Sequence, residues 1–116
     1  MKNRFLIGCF LVFAASSQVN AAGDCIKNMD GNVVCGEGQC VADQYGKVLC
    51  AKAGGGAMRD QYGDVKCGVG YCATDQQGHL KCSTKPGGSA TTDLNGKVKC
   101  LGGCKSATRQ LCEAGR

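Results

Sequence analysis

Apolar and polar residues alternate along short stretches of this chain, and one such stretch recurs five times. Each copy begins with Asp or Asn, two variable residues and Gly, and continues with one residue, Val or Leu, one residue and Cys. Alternation with a period of two is typical of a β-strand with one buried face. The first four residues fit a type I turn whose Gly takes the left-handed position that closes a three-residue hairpin loop. The pattern therefore predicts five β-hairpins, with turns at 28–31, 43–46, 60–63, 75–78 and 93–96.

Counting outward from each turn predicts the register of the two strands in each hairpin. Three hairpins bring two cysteines face to face: Cys25 with Cys35, Cys40 with Cys50, and Cys72 with Cys82. In the other two hairpins a cysteine faces an alanine: Cys67 faces Ala57, and Cys100 faces Ala90. Cysteines therefore lie at the open ends of the hairpins, opposite the turns.

The same count sorts the side chains onto two faces, because neighbours along a strand point to opposite sides. The cysteine side carries the apolar residues Val33, Val48, Val65, Leu80 and Val98. The other side carries Lys47, Lys66, Lys81, Lys97 and Lys99, together with Asp64 and His79. A slip of one residue would exchange the two faces, so the register is well specified.

A longer period groups the hairpins in pairs. Cysteines 35, 67 and 100 are 32 and 33 residues apart, and cysteines 40, 72 and 104 are 32 apart. We therefore expect a small, disulfide-rich all-β fold of tandem β-hairpin repeats, in about three units of about 32 residues, with little hydrophobic core. The last unit has no turn pattern at its end, and there we expect a short C-terminal helical cap at 105–114.

The N-terminus has the features of a signal peptide. Lys2 and Arg4 precede an apolar run at residues 5–15, and small residues precede Ala22. The run is too short to span a bilayer. We expect residues 1–21 to be removed on export, which leaves a domain at 22–116 in the periplasm or outside the cell, with no transmembrane segment.

Ten of the eleven cysteines remain after that cleavage: Cys25, Cys35, Cys40, Cys50, Cys67, Cys72, Cys82, Cys100, Cys104 and Cys112. An even, high cysteine count in a short exported chain predicts a disulfide framework. The remaining chain has no Phe or Trp, so cross-links must compensate for a core too small to offset backbone entropy.

The hairpin register suggests a pairing of these cysteines. The three facing pairs would be bonded within their hairpins, and Cys104 with Cys112 would be the equivalent bond in the last unit. Cys67 and Cys100 would then bridge the second and third units. The main rival scheme links a cysteine that ends one hairpin to a cysteine that begins the next.

The charge argues against nucleic acid as a partner. The net charge of +5 falls to +3 after cleavage, because Lys2 and Arg4 leave and no acidic residue does. A mildly basic exported chain has neither the charge nor the compartment typical of nucleic-acid binding.

The chemistry of an enzyme is not evident in the sequence. The single histidine, His79, is expected on a solvated strand face, no Cys-x-x-Cys occurs, and the Gly54–Gly56 run lacks the residues of a phosphate loop. The close pairs Cys35/Cys40, Cys67/Cys72 and Cys100/Cys104 only approach zinc spacing. We therefore expect no catalytic residue, no cofactor and no metal ligand.

Three tyrosines are the candidates for ligand contact. Tyr45 and Tyr62 occupy the third position of two turns beside Gln44 and Gln61, and Tyr71 lies in a glycine-rich connector. Exposed Tyr and Gln with nearby lysines suit contact with a glycan or an anionic envelope component. The alternative is that the rings cover their own hairpins in place of a core.

The sequence as a whole favours an exported, non-enzymatic structural or interaction module of the bacterial envelope or exterior. One alternative is a periplasmic metal-binding or thiol protein. A second is a small secreted toxin or inhibitor.

Overall fold

The computed structural model describes residues 23–116, and the predicted signal peptide lies outside the described residues. These residues form a small all-β protein without an α-helix. The strands are β1 (Cys25–Lys27), β2 (Val33–Cys35), β3 (Cys40–Ala42), β4 (Val48–Ala51), β5 (Ala57–Arg59), β6 (Val65–Cys67), β7 (Cys72–Thr74), β8 (Leu80–Ser83), β9 (Ala90–Thr92), β10 (Val98–Cys100), β11 (Cys104–Ser106) and β12 (Cys112–Ala114).

The five predicted hairpins are confirmed, and so is their register. Hairpins 1 to 5 are the antiparallel pairs β1–β2, β3–β4, β5–β6, β7–β8 and β9–β10. Cys40 faces Cys50 and Ala57 faces Cys67, as the count from the turns predicts. In the second turn, the Gly46 N–H donates to the Asp43 carbonyl at 3.0 Å, and Gly46 has φ +84°. That left-handed backbone is why glycine ends each turn.

The hairpins stack on one another in chain order, turn against turn. The Met29 N–H donates to the Gly46 carbonyl of the next turn at 3.1 Å, and the Gln44 N–H donates to the Gly63 carbonyl at 3.1 Å. The step from hairpin 4 to hairpin 5 repeats this bond at 2.9 Å, from Gln76 to Gly96. The second residue of one turn thus lies over the glycine of the following turn.

Side chains add further bonds between neighbouring hairpins. The Asp24 carboxylate accepts from the Cys40 N–H at 3.0 Å, and the Gln39 side-chain carbonyl accepts from the Ala57 N–H at 3.0 Å. The Arg59 guanidinium donates to the carbonyls of Ala42 and Asp43, at 2.9 and 3.1 Å. Hairpin 2 is therefore held to both of its neighbours by polar side chains as well as by backbone.

The C-terminal segment is a strap, residues 104–116, that returns along the second strands of four hairpins. Its strand β11 pairs antiparallel with β8 of hairpin 4, and its strand β12 pairs with β4 of hairpin 2. Between them Thr108 and Cys67 of hairpin 3 exchange hydrogen bonds of 2.8 and 2.9 Å. At the end, Arg116 and Cys35 of hairpin 1 do the same at 2.7 and 2.9 Å.

The strap differs from the short helical cap expected at 105–114. Helical geometry is confined to one 3-10 turn at Arg109–Leu111, between β11 and β12. The physical reason is the open edge of the second strands, whose N–H and C=O groups require partners. An extended strap supplies those partners in four hairpins, which a helix could not do.

All ten described cysteines form disulfides, but the predicted pairing is only partly right. The bonds within hairpins, Cys25–Cys35, Cys40–Cys50 and Cys72–Cys82, are confirmed. The predicted bonds Cys67–Cys100 and Cys104–Cys112 are wrong: the structure has Cys67–Cys112 and Cys100–Cys104. The strap explains the difference, because it carries Cys112 past hairpin 3. Of the five bonds, Cys100–Cys104 alone follows the rival scheme.

The apolar core is small and is divided among the gaps between hairpins. Val48, Val65 and Leu80 of the predicted cysteine side are buried, with Val65 and Cys67 both 0% exposed. Leu111 of the strap packs on the cluster around Val65. Val33, in contrast, is 60% exposed, since hairpin 1 has a stacked neighbour on one side only. Disulfide sulfur and backbone pairing replace much of an ordinary core.

The glycines that follow the second strands of hairpins 1 and 3 make room for the disulfide of the next hairpin. A Cβ on Gly36 would lie 2.4 Å from the Cys50 sulfur, and a Cβ on Gly68 would lie 2.4 Å from the Cys82 sulfur. These equivalent contacts mark the 32-residue unit. A connector of this geometry therefore requires residues without side chains.

We expect Gly36→Ala to destabilise the oxidised protein by about 1–3 kcal/mol, because the new methyl group would overlap a disulfide that cannot move away. The measurement is the free energy of unfolding from denaturant titration without reductant. Gly115→Ala is the milder comparison, since its Cβ would lie 2.9 Å from a methyl carbon of Val34 and 3.1 Å from one of Val48, and would not meet a disulfide. Equal losses for the two variants would contradict this account of Gly36.

Candidate functional site

Two features of the surface bring together side chains that could contact a ligand. The first is the turn surface, defined as the second and third residues of the five stacked turns. The second is a basic cleft between hairpins 4 and 5 and the strap. The turn aspartates hold the turn surface in place.

Each turn carboxylate accepts two backbone hydrogen bonds inside its own hairpin. In the second turn, one oxygen of Asp43 accepts from the N–H of Tyr45 at 2.8 Å and of Lys47 at 3.0 Å. Asp60, Asp75 and Asp93 repeat this arrangement, and in the first turn the Asn28 amide oxygen replaces the carboxylate. The first turn residue thus fixes the backbone on which the exposed residues stand.

These bonds favour the ionised form of the turn aspartates. The Lys47 N–H, with a further bond from the Tyr45 N–H, holds the pKa of Asp43 below its ordinary value. For Asp60, burial opposes ionisation, but the N–H groups of Tyr62 and Asp64 and the Lys66 ammonium at 3.2 Å lower the pKa overall. The pKa values of Asp75 and Asp93 are lowered chiefly by the N–H groups of His79 and Lys97. These carboxylates are structural acceptors and are not poised as acids.

The turn surface presents two tyrosines on adjacent turns. Tyr45 and Tyr62 are each 71% exposed and hold the same position in turns that the Gln44–Gly63 bond joins. Such exposure argues against the interpretation that the rings replace a core. Tyr71 is 44% exposed but precedes β7, at the open end of the hairpins. The structure therefore brings Tyr45 and Tyr62 together and leaves Tyr71 apart.

The basic cleft has a volume of about 550 Å³ and is lined by lysines from hairpin 4, hairpin 5 and the strap. Lys81 comes from β8, Lys97 precedes β10, and Lys105 comes from β11 of the strap. Asp75 is the acidic side chain among its lining residues. The predicted polar face includes Lys81 and Lys97 but not Lys105. Lys105 reaches the cleft because β11 pairs with β8, and no local sequence pattern predicts that pairing.

The remaining candidates for chemistry are dispersed. His79 is 64% exposed, and its ring nitrogen lies 3.7 Å from the Asp75 carboxylate that caps the same turn. Within residues 23–116, no group of three His, Cys, Asp or Glu side chains is arranged to hold a metal ion. In the same range, no helix is long and apolar enough to cross a membrane.

Comparison with known proteins gives no relative from which a function could be transferred. No protein-family model, no curated protein and no solved structure matches the chain.

We expect the turn carboxylates to make stability depend on acid pH. Because the pKa of Asp43 is lower when folded than when unfolded, its contribution is present above the unfolded pKa of about 4 and is lost as the pH falls through the folded pKa. Asp43→Asn keeps the acceptor oxygen, as Asn28 does naturally, but removes the titration. This variant should lose less stability than wild type between neutral pH and about pH 2.

The measurement is the denaturant midpoint at both pH values. Asp30→Asn is the control, since Asp30 occupies the third turn position and its carboxylate accepts no hydrogen bond among the described residues. It should follow the wild type. An acid loss in Asp43→Asn as large as in wild type would contradict the role assigned to this carboxylate.

Proposed function

We propose that this chain is an exported, non-enzymatic, cysteine-rich module that acts by contact in the bacterial envelope or exterior. The observation that carries the proposal is the pair Tyr45 and Tyr62, both 71% exposed on adjacent, hydrogen-bonded turns. Five disulfides are compatible with an oxidising compartment outside the cytoplasm. The proposed ligand is a glycan or another component of the envelope.

The turn surface suits binding because little conformational freedom is lost there. Carboxylate or amide caps, turn glycines and stacking bonds order the backbone before any ligand arrives. A tyrosine ring adds a large contact area with few rotatable bonds and a hydroxyl for a polar partner. Pre-organisation of this kind lowers the entropic cost of association.

The basic cleft would extend such contact to an anionic ligand. Lys81, Lys97 and Lys105 surround one opening, so their charges act on the same volume. A surface polymer that carries both sugar rings and acidic groups could meet the tyrosines and the lysines together. This combination favours an anionic glycan over a purely apolar partner.

The alternative of a metal-binding or thiol protein has less support. Metal ligation and thiol exchange both need a thiolate. All ten cysteines of the described chain are joined in disulfides, including the close pair Cys100 and Cys104, which bond to each other. The contact module uses the same cysteines for structure and needs no free sulfur.

Co-sedimentation of the oxidised protein with isolated cell-wall sacculi tests the proposal. We expect wild-type protein to bind, and Tyr45→Ser with Tyr62→Ser to bind about tenfold more weakly, since each aromatic contact contributes about 0.5–1.5 kcal/mol. Tyr71→Ser is the matched control and should bind like wild type. Failure of wild-type protein to bind sacculi would overturn a cell-wall glycan as the ligand, and equal binding by the double variant would overturn the role of the two tyrosines.

A further inference from the structure

The stack of turns has a recurring side-chain contact at its four internal steps. The side chain of the second turn residue lies against the glycine of the next turn, so that a Cβ on that glycine would collide with it. These pairs are Met29 with Gly46, Gln44 with Gly63, Gln61 with Gly78, and Gln76 with Gly96. In three of the four steps the backbone N–H of the same residue also donates to the glycine carbonyl, at 2.9–3.1 Å.

The two ends of the stack each present one unmatched half of this interface. Gly31 of the first turn has φ +85°, and a Cβ added to it would have no atom within 4 Å. Leu94, the second residue of the last turn, is 104% exposed. Among the described residues, no backbone bond joins the Leu94 N–H or the Gly31 carbonyl to another hairpin. The last turn thus offers the Leu94 N–H as a donor together with an apolar side chain. The first turn offers the Gly31 carbonyl as an acceptor together with open space over the glycine.

Each end of the stack also has an exposed apolar side chain. Val33 beside the first turn is 60% exposed, and Leu101 at the open end of the last hairpin is 60% exposed. Both ends of the stack therefore leave apolar surface in contact with water.

We propose that the last hairpin of one copy docks on the first hairpin of a second copy, with Leu94 seated on Gly31 of its neighbour. The second copy is the occupant because it carries both unmatched halves, and because the contact continues an interface already used four times within the chain. The contact is heterologous, so a docked copy again exposes an open half at each end and the assembly grows head to tail. This inference does not depend on the proposed envelope ligand.

Sedimentation of the oxidised, secreted protein over a series of concentrations gives the first readout. One hairpin face is a small interface, so we expect weak association, with an average mass that rises steadily with concentration and no plateau at the dimer. A mass that stays at one chain at the highest soluble concentration would overturn the proposal.

Two variants separate head-to-tail docking from any other association. Leu94→Asp changes only a fully exposed side chain, and Gly31→Asn adds bulk at a left-handed position that Asn tolerates. Each variant alone loses one half of every contact and should remain monomeric, with association weakened at least about tenfold. An equimolar mixture restores one intact contact, from Leu94 of the Gly31→Asn chain to Gly31 of the Leu94→Asp chain, and should give a dimer and nothing larger.

A third variant keeps the interface chemistry of the internal turns. Leu94→Gln gives the last turn the same second residue, glutamine, as turns 2, 3 and 4 have at Gln44, Gln61 and Gln76. This variant should still associate. Tyr45→Ser, which removes an exposed side chain away from both ends, should associate like wild type. Association by either blocked variant alone, or growth beyond a dimer in the mixture, would overturn the head-to-tail geometry. Circular dichroism of each variant checks that it is folded.

Discussion

Backbone pairing between the C-terminal strap and the second strands of four hairpins is the interaction on which the rest of the structure depends. An isolated two-stranded hairpin is marginal in water. Here β4 and β8 become the central strands of three-stranded sheets because β12 and β11 pair with their free edges. The strap thereby joins hairpins 1 to 4 to one continuous segment, and it supplies Leu111 and Ala107 to the small apolar clusters between them.

The disulfide Cys67–Cys112 gives that pairing a covalent anchor. It joins residues 45 apart in sequence, whereas the bonds within hairpins join residues 10 apart and Cys100–Cys104 spans 4. In the chain-entropy model, the long closure stabilises the fold by about 4 kcal/mol and a hairpin closure by about 2.8 kcal/mol. The three bonds within hairpins fix local pairs of strands, but Cys67–Cys112 fixes the strap to hairpin 3.

The predictable part of this fold is the part encoded within about ten residues. Asp43, Gly46 and Cys50 lie in one hairpin, so turn chemistry and strand alternation suffice to predict their register. Arg116 pairs with Cys35, which lies near the other end of the described chain. No sequence pattern within the strap predicts that pairing. Because the path of the strap could not be predicted, the predicted Cys67–Cys100 bond was wrong. For the same reason Lys105 was not predicted to line the basic cleft. Tyr45 and Tyr62 could be placed on turns because a turn position is a local property.

Disulfide mapping of the unreduced protein tests the central role of the strap most directly. After tryptic cleavage, the account predicts that peptide 100–105 is closed on itself by Cys100–Cys104. It predicts a separate cluster in which peptide 67–81 is linked to 110–116 through Cys67–Cys112 and to 82–97 through Cys72–Cys82. A single cluster joining 67–81, 82–97, 100–105 and 110–116, as Cys67–Cys100 with Cys104–Cys112 would produce, would contradict it.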